Sequence, residues 1–265
     1  MNKIQLSGLL KAVAACAILG AASSGWAAST WSLDTTCNSP ITNGTASCAT
    51  ASGTVTATGY STASSAGVGT TFGLATVVNY GTGWGLGVRN GGEDTTAPNH
   101  AMDNSGGTDL IALNFGTAVN LSSLVLGYSF SDSDITVLAY TGIGAPTISG
   151  KTLASFNATS GWASVKNYGS TTATANTTEI TADQTVLLGD ATTYSSWWLI
   201  SAYNSTYGTG STSFDAIPDY VKVMSVSGMV KPTTSKVPEP SSLALMGAAF
   251  CAIVGARRRA KAKQA

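Results

Sequence analysis

The chain is poor in charge: only 10% of its 265 residues are Asp, Glu, Lys or Arg, and it has a single histidine. The net charge is zero, but seven of the thirteen basic residues lie at the two ends of the chain. Between these ends, six basic residues face twelve acids, so the body carries a formal charge of −6. An acidic body lacks the basic patch that phosphate contacts need, which argues against nucleic acid as a partner.

The body is also poor in Glu, Lys and Leu, the residues that favour helices, and rich in Thr, Ser, Gly and Asn. Short β-branched and aromatic runs recur between turn residues, as in ITVLAY and WWLISAY. We therefore predict an all-β fold, a single antiparallel β-sandwich or jelly-roll-like domain over residues 28–230. The predicted strands are Thr54–Tyr60, Thr71–Tyr80, Leu110–Phe115, Leu121–Phe130, Ile135–Tyr140, Thr185–Leu188, Trp197–Tyr203 and Tyr220–Val230.

Residues 1–27 are typical of a secretory signal peptide. Lys3 and Lys11 precede or border the apolar run AVAACAILGAAS, and Gly25-Trp26-Ala27 places small residues at the −3 and −1 positions of a cleavage site. An alternative lipobox at Cys16 is disfavoured, because only four apolar residues separate it from Lys11. The prediction is an N-terminal signal helix and export of the body.

The chain has only four cysteines, of which two lie in the terminal segments and two in the body. Cys16 lies in the signal peptide, and Cys251 lies in a C-terminal apolar run. Cys37 and Cys48 remain in the exported body, where an oxidising compartment favours a disulfide between them. The alternative is two buried thiols; a metal site is disfavoured because no histidine or further cysteine is near in sequence.

The C-terminal end has three parts in a fixed order. A polar linker at residues 231–237 leads to Pro-Glu-Pro, then to the uncharged run Ser241–Ala256, then to a basic tail. As a helix this run is about 24 Å long, whereas the hydrocarbon core of a bilayer is ~30 Å thick. Flanking residues and local thinning of the bilayer can make up this difference in length. The basic tail favours a cytoplasmic C-terminus, so we predict a C-terminal transmembrane helix with the body outside.

This order resembles the PEP-CTERM sorting signal of Gram-negative bacteria, here at residues 238–260. The resemblance rests on Pro238, Glu239, Pro240, Arg257, Arg258 and Arg259. It implies processing by exosortase, a membrane peptidase, after transient anchoring in the inner membrane. It further implies delivery to the cell surface or the exopolysaccharide matrix of a biofilm, where a structural or adhesive role is expected. The alternative is a tail-anchored envelope protein that is never processed.

Acidic and amide side chains accumulate at predicted strand edges. Asp103, Asn104, Asp132 and Asp134 offer the oxygen ligands that calcium prefers, and Glu93 and Asp109 lie in the same stretches. We therefore predict a calcium site formed by Asp103, Asn104, Asp132 and Asp134. The alternative is that these residues serve turns, for which Asp, Asn and Ser are the usual choice, and no EF-hand spacing is present.

Signals for catalysis are weak. His100 is the only histidine, no Gly-x-Ser-x-Gly motif marks a nucleophile, and Asp132 and Asp134 are too close in sequence for a convincing glycosidase pair. We therefore expect no enzyme. The alternative function is a secreted carbohydrate-active protein, a calcium-dependent lectin or glycosidase, with stacking faces supplied by Trp84, Trp162, Trp197 or Trp198. Because side chains alternate along a strand, Trp197 and Trp198 are expected on opposite faces.

Overall fold

The structure is a computed structural model, and it describes residues 28–37, 44–91, 93, 98, 100–168, 176–180, 184–204, 217–232, 247, 249–250 and 252–253. Internal contacts divide the chain into two units: Ala27–Lys231, and Met1–Trp26 with Pro232–Ala265. The first unit contains every described strand. In the second, residues 247, 249–250 and 252–253 are helical. The predicted signal helix lies outside the described residues, as do Pro238, Glu239, Pro240 and Arg257–Arg259.

The body is all-β, as predicted, with thirteen strands among the described residues and only two short 3₁₀ helices, Leu153–Ser155 and Ala158–Ser160. The strands begin at Ser29 and end at Val230. They are β1 Ser29–Ser32, β2 Thr45–Thr50, β3 Gly53–Ser64, β4 Gly67–Asn79, β5 Leu86–Arg89, β6 Met102–Asp103, β7 Asp109–Ser131, β8 Ile135–Tyr140, β9 Trp162–Tyr168, β10 Asn176–Ile180, β11 Gln184–Leu187, β12 Ser195–Ala202 and β13 Asp219–Val230.

All ladders between these strands are antiparallel, and they join the thirteen strands into one hydrogen-bonded sheet. The path runs β1-β13-β5-β4-β3-β7-β12-β8-β9, and β13 also pairs with β7. The sequence also predicted a sandwich, in which the strands form two separate sheets. The described strands instead form one hydrogen-bonded sheet, because one long strand pairs with neighbours along both of its parts.

That strand is β7, which is 23 residues long and was predicted as two strands. Its first part pairs with β3 and β12 through Asn114, and its second part pairs mainly with β13 and β11 from Val119 onward. Between the two parts Gly116 has a φ of 66°, a left-handed conformation that costs a residue with a Cβ more than it costs glycine. The Asn114 side chain accepts the Gly116 N–H at 2.9 Å and fixes this turn of the backbone.

Both faces of the central strands are covered. Trp198 and Ile200 of β12 lie in the main hydrophobic core, whereas Leu199 lies in a second core that Trp197 packs against. The second core is closed by side chains of the segment between β8 and β9, including Ile148 and Phe156. The two tryptophans therefore face opposite ways, as predicted, but neither is left as an exposed stacking surface.

A disulfide joins Cys37 and Cys48, as predicted, and ties the segment after β1 to β2. Both cysteines are buried in the main core. Replacing both by serine should lower the free energy of unfolding by about 2–3 kcal/mol, because the unfolded chain loses a short covalent loop and two hydroxyls enter the core. Urea unfolding of the C37S/C48S variant measures the change, and an unchanged midpoint would contradict the stabilising role.

Candidate functional site

The structure divides the predicted calcium ligands between two clusters of carboxylates. Asp103 lies with Glu93 and Asp109, which we call the β6–β7 cluster. Asp132 and Asp134 lie with Asp219, which we call the β7–β13 cluster. In each cluster one oxygen per residue lies within 4.8 Å of the others. Asp103 and Asn104 are neighbours in sequence but serve different clusters, since Asn104 contacts Asp219.

The β6–β7 cluster is positioned by strand pairing. Asp103 ends β6 opposite Tyr220, and Asp109 begins β7 opposite Ser61 of β3. Hydrogen bonding continues past Asp109: the Thr62 N–H donates to the Thr108 carbonyl at 3.1 Å, and the Thr108 N–H donates to Thr62 Oγ1 at 2.9 Å.

The loop between these two acids packs closely on β3. A Cβ on Gly107 would lie 2.8 Å from Cβ of Ala63, so glycine permits the close approach. The Ser105 N–H donates to Asp103 Oδ1 at 2.9 Å, which orients the carboxylate. The path of the loop thus brings two acids six positions apart in sequence to one place.

Glu93 completes this cluster from outside the sheet. Its Oε1 accepts the Asn90 amide at 2.6 Å, and its Oε2 accepts the His100 N–H at 3.3 Å. His100 has a φ of 66°, and its ring lies 6.4 Å from that of Tyr80. The single histidine therefore contacts Glu93 through its backbone N–H, which positions the glutamate beside the two aspartates.

Burial makes these carboxylates electrostatically costly. Asp109 is 1% exposed, and burial together with the charge of Asp103 raises its pKa well above the ordinary value. Burial, reinforced by the charge of Glu93, raises the pKa of Asp103 to about 7, although the Ser105 N–H lowers it. Beside the cluster is a cavity of about 280 Å³, bordered by Glu93, Asp103 and Tyr220. Water and small ions can therefore reach the cluster from this cavity.

The β7–β13 cluster is held together by its own hydrogen bonds. Asp219 Oδ1 accepts the Asp134 N–H, and Asp219 Oδ2 accepts the Asn104 amide, both at 2.7 Å. The Asp219 N–H in turn donates to Asn104 Oδ1 at 2.8 Å, and the Ser133 N–H donates to Asp132 Oδ1 at 2.7 Å. Burial, followed by the charge of Asp134, raises the pKa of Asp219 to about 8. Asn104 therefore acts here as a clamp on Asp219.

Sequence reasoning missed Asp219 as a partner of Asp132 and Asp134. Its signal was weak, because it is a single acid that follows Pro218 at the start of β13. Eighty-five positions separate it from Asp134, and only the pairing of β13 with the end of β7 brings the two together.

A buried lysine lies farther along β13. Lys222 is 4% exposed, and its Nζ lies 3.5 Å from the ring centroid of Tyr128, 4.3 Å from that of Tyr80 and 5.5 Å from that of Trp84. Trp84 also stacks on Tyr128 at 5.6 Å. Desolvated cation–π contacts of this kind stabilise by about 2 kcal/mol or more. Trp84, one of the predicted stacking faces, is thus partly buried and packs against Tyr128.

At the C-terminal end, the described part of the chain contains no helix with both the length and the apolar character needed to cross a membrane. A family profile described as the PEP-CTERM protein-sorting motif matches residues 236–259. No curated protein matches the chain. The matched range includes the Pro-Glu-Pro, the apolar run and all three arginines. The chain therefore carries a PEP-CTERM protein-sorting motif at its C-terminal end, which supports a secreted surface protein targeted to exosortase and implies transient anchoring in the membrane before processing.

Proposed function

We propose that the β-domain Ala27–Lys231 is a structural or adhesive component of the cell surface or the exopolysaccharide matrix. The observation that carries this proposal is the position of the sorting motif. The last strand of the domain ends at Val230, and the motif begins at residue 236. A short polar linker thus separates the folded β-domain from the sorting motif in the sequence. The proposal assigns no catalytic role to His100 or to the buried carboxylates.

The composition of the domain supports a passive structural role outside the cell. The disulfide and the continuous antiparallel sheet stabilise the domain, and the buried Asp219 and Lys222 are engaged by neighbours within it. A body charge of −6 also limits binding to other acidic surfaces, so contacts with neutral glycans or with proteins are favoured.

The test replaces Arg257, Arg258 and Arg259 by glutamine and follows the protein in the native host. We expect the wild-type protein in the matrix fraction and the triple variant retained in the cell envelope, because the basic tail orients the C-terminus for processing. A matched control replaces three body cations, Arg89, Lys151 and Lys231, by glutamine and should reach the matrix normally. Equal delivery of the tail variant, or absence of the wild-type protein from the matrix, would contradict the proposal.

The alternative, a carbohydrate-active protein, is favoured by one observation. Tyr140 borders a cavity of about 220 Å³ whose lining also includes Lys151 and Ser155. Trp162 lies in the same lining but is 3% exposed and packs on Phe156 and Tyr140, so it offers little face to a sugar. Electrophoresis through gels containing the host exopolysaccharide should show retardation that Tyr140→Ala abolishes and Tyr194→Ala does not, if this alternative holds.

A further inference from the structure

The oxygens of the β6–β7 cluster have the spacing of ligands around one ion. Glu93, Asp103 and Asp109 come from three separate places in the chain, yet one oxygen of each lies within 4.8 Å of the other two. Calcium binds oxygen at about 2.3–2.6 Å, so two ligands on opposite sides of the ion are roughly 4.6–5.2 Å apart. One ion placed among the three carboxylates would therefore reach all of them.

A second, independent observation concerns one buried atom. Ser61 and the backbone of Asp103 hydrogen-bond the carboxyl group of Asp109, but its Oδ2 accepts no hydrogen bond from any residue that the structure describes. Asp109 is 1% exposed, and buried polar atoms of native proteins almost always have a partner. The charges that act on Asp109 come from Asp103 and Glu93, and both are negative. A cation is the partner that would satisfy this oxygen and offset the repulsion.

The β7–β13 cluster lacks this feature. Both oxygens of Asp219 accept hydrogen bonds, and Asn104 presents its amide nitrogen to one of them. The predicted set of Asp103, Asn104, Asp132 and Asp134 therefore does not converge on one ion, and only its first member joins the cluster that has an unsatisfied oxygen. We therefore expect cation binding at the β6–β7 cluster and not at the β7–β13 cluster, and variants of each cluster can test this separately.

We propose that Glu93, Asp103 and Asp109 bind one hard divalent cation of the calcium class. Three carboxylates without sulfur or imidazole favour calcium over zinc, and the adjoining cavity of about 280 Å³ provides room for the water ligands that complete its shell of 6–8 oxygens. Magnesium binds more weakly here, because it demands octahedral geometry and gives up its waters reluctantly. The cation links Glu93 to the ends of β6 and β7. Its affinity falls in the range of extracellular modules, a Kd of about 10⁻⁴–10⁻³ M.

The test is calorimetric titration of calcium into the purified full chain after dialysis against EDTA. We expect one site in the wild-type protein and a loss of affinity of at least ~10-fold in Asp109→Asn, because a charged ligand is removed. In EDTA the same variant should unfold at the same or a higher urea concentration than the wild type, because it no longer buries the most crowded carboxylate. A variant with a damaged fold would unfold at a lower urea concentration than the wild type. The calcium affinity and the unfolding midpoint together therefore distinguish ligand loss from misfolding.

Matched variants make the assignment specific. Glu93→Gln should also weaken calcium binding. Asp219→Asn in the β7–β13 cluster and Asp190→Asn, at a residue that like Glu93 is only half-buried, should leave it unchanged. Titration with magnesium should give a weaker response than calcium. The proposal is overturned if the wild-type chain binds no calcium at millimolar concentration. It is equally overturned if Asp109→Asn keeps wild-type affinity or if Asp219→Asn is the variant that loses it.

Discussion

The metal-free protein should lose stability as the pH rises from about 4 to about 8. Burial raises the pKa of Asp103 to about 7 and that of Asp219 to about 8, whereas both groups ionise near 3.9 in the unfolded chain. The folded state therefore holds protons that the unfolded state releases. The stabilising contribution is complete below pH 4 and is lost as the pH passes through 7 and 8. Both shifts act in the same direction, so we expect the free energy of unfolding to fall by several kcal/mol over this range.

Urea unfolding in EDTA at pH 4, 6 and 8 measures this effect. Asp219→Asn should flatten the dependence, because asparagine keeps an acceptor for the Asp134 N–H and cannot ionise. Asp190 changes the stability with pH in the opposite direction, since hydrogen bonds from Thr193 and Thr192 lower its pKa to about 2. Its contribution is lost only as the pH falls, so Asp190→Asn should leave the loss between pH 4 and 8 intact. Stability that is constant or rises over this range in wild-type protein would contradict the burial of protonated carboxylates.

Trp198→Ala should lower the free energy of unfolding by about 3–5 kcal/mol. Trp198 is fully buried in β12, between Leu113 of β7 and Ala139 of β8, and its Nε1–H donates to the Ser195 carbonyl at 3.0 Å. Truncation leaves a large cavity at the centre of the main core and removes this hydrogen bond.

The matched control is the neighbouring residue. Trp197→Ala removes the same side chain from the other face of β12, where Trp197 is only half-buried against the second core. The loss should be about half as large, because less apolar surface leaves the protein interior. Equal losses in the two variants would show that the main core is not centred on Trp198.

The sequence predicted the strands whose apolar residues were dense enough to stand out. ITVLAY and WWLISAY became β8 and β12, which are buried on both faces, and their alternate residues enter the two different cores, as the two-residue period of a strand requires. Short strands such as β5 and β6 were missed, because two to four residues carry no period. β7 was split in prediction, since Gly116 and its neighbours have the character of a turn although the strand continues through them.

The candidate site was only partly predictable, for a related reason. Local sequence identified Asp103, Asp132 and Asp134 as oxygen-bearing residues at strand edges, but it could not say which of them meet. Asp103 and Asn104 separate into different clusters because successive residues at the end of a strand point to opposite sides. The contribution of Asp219 depends on β13 lying beside β7, a pairing between residues about ninety positions apart. Long-range pairing of this kind leaves no trace in local composition.

We expect the chain to be exported, processed at its C-terminal motif and released to the surface. The most direct measurement is the intact mass of the protein recovered from the native cell surface and medium. We predict a species that begins near Ala28, ends near Pro238–Pro240 and is 2 Da lighter than its reduced form, because Cys37 and Cys48 are joined. A recovered species that retains Arg257–Ala265 would contradict processing and would leave a tail-anchored envelope protein.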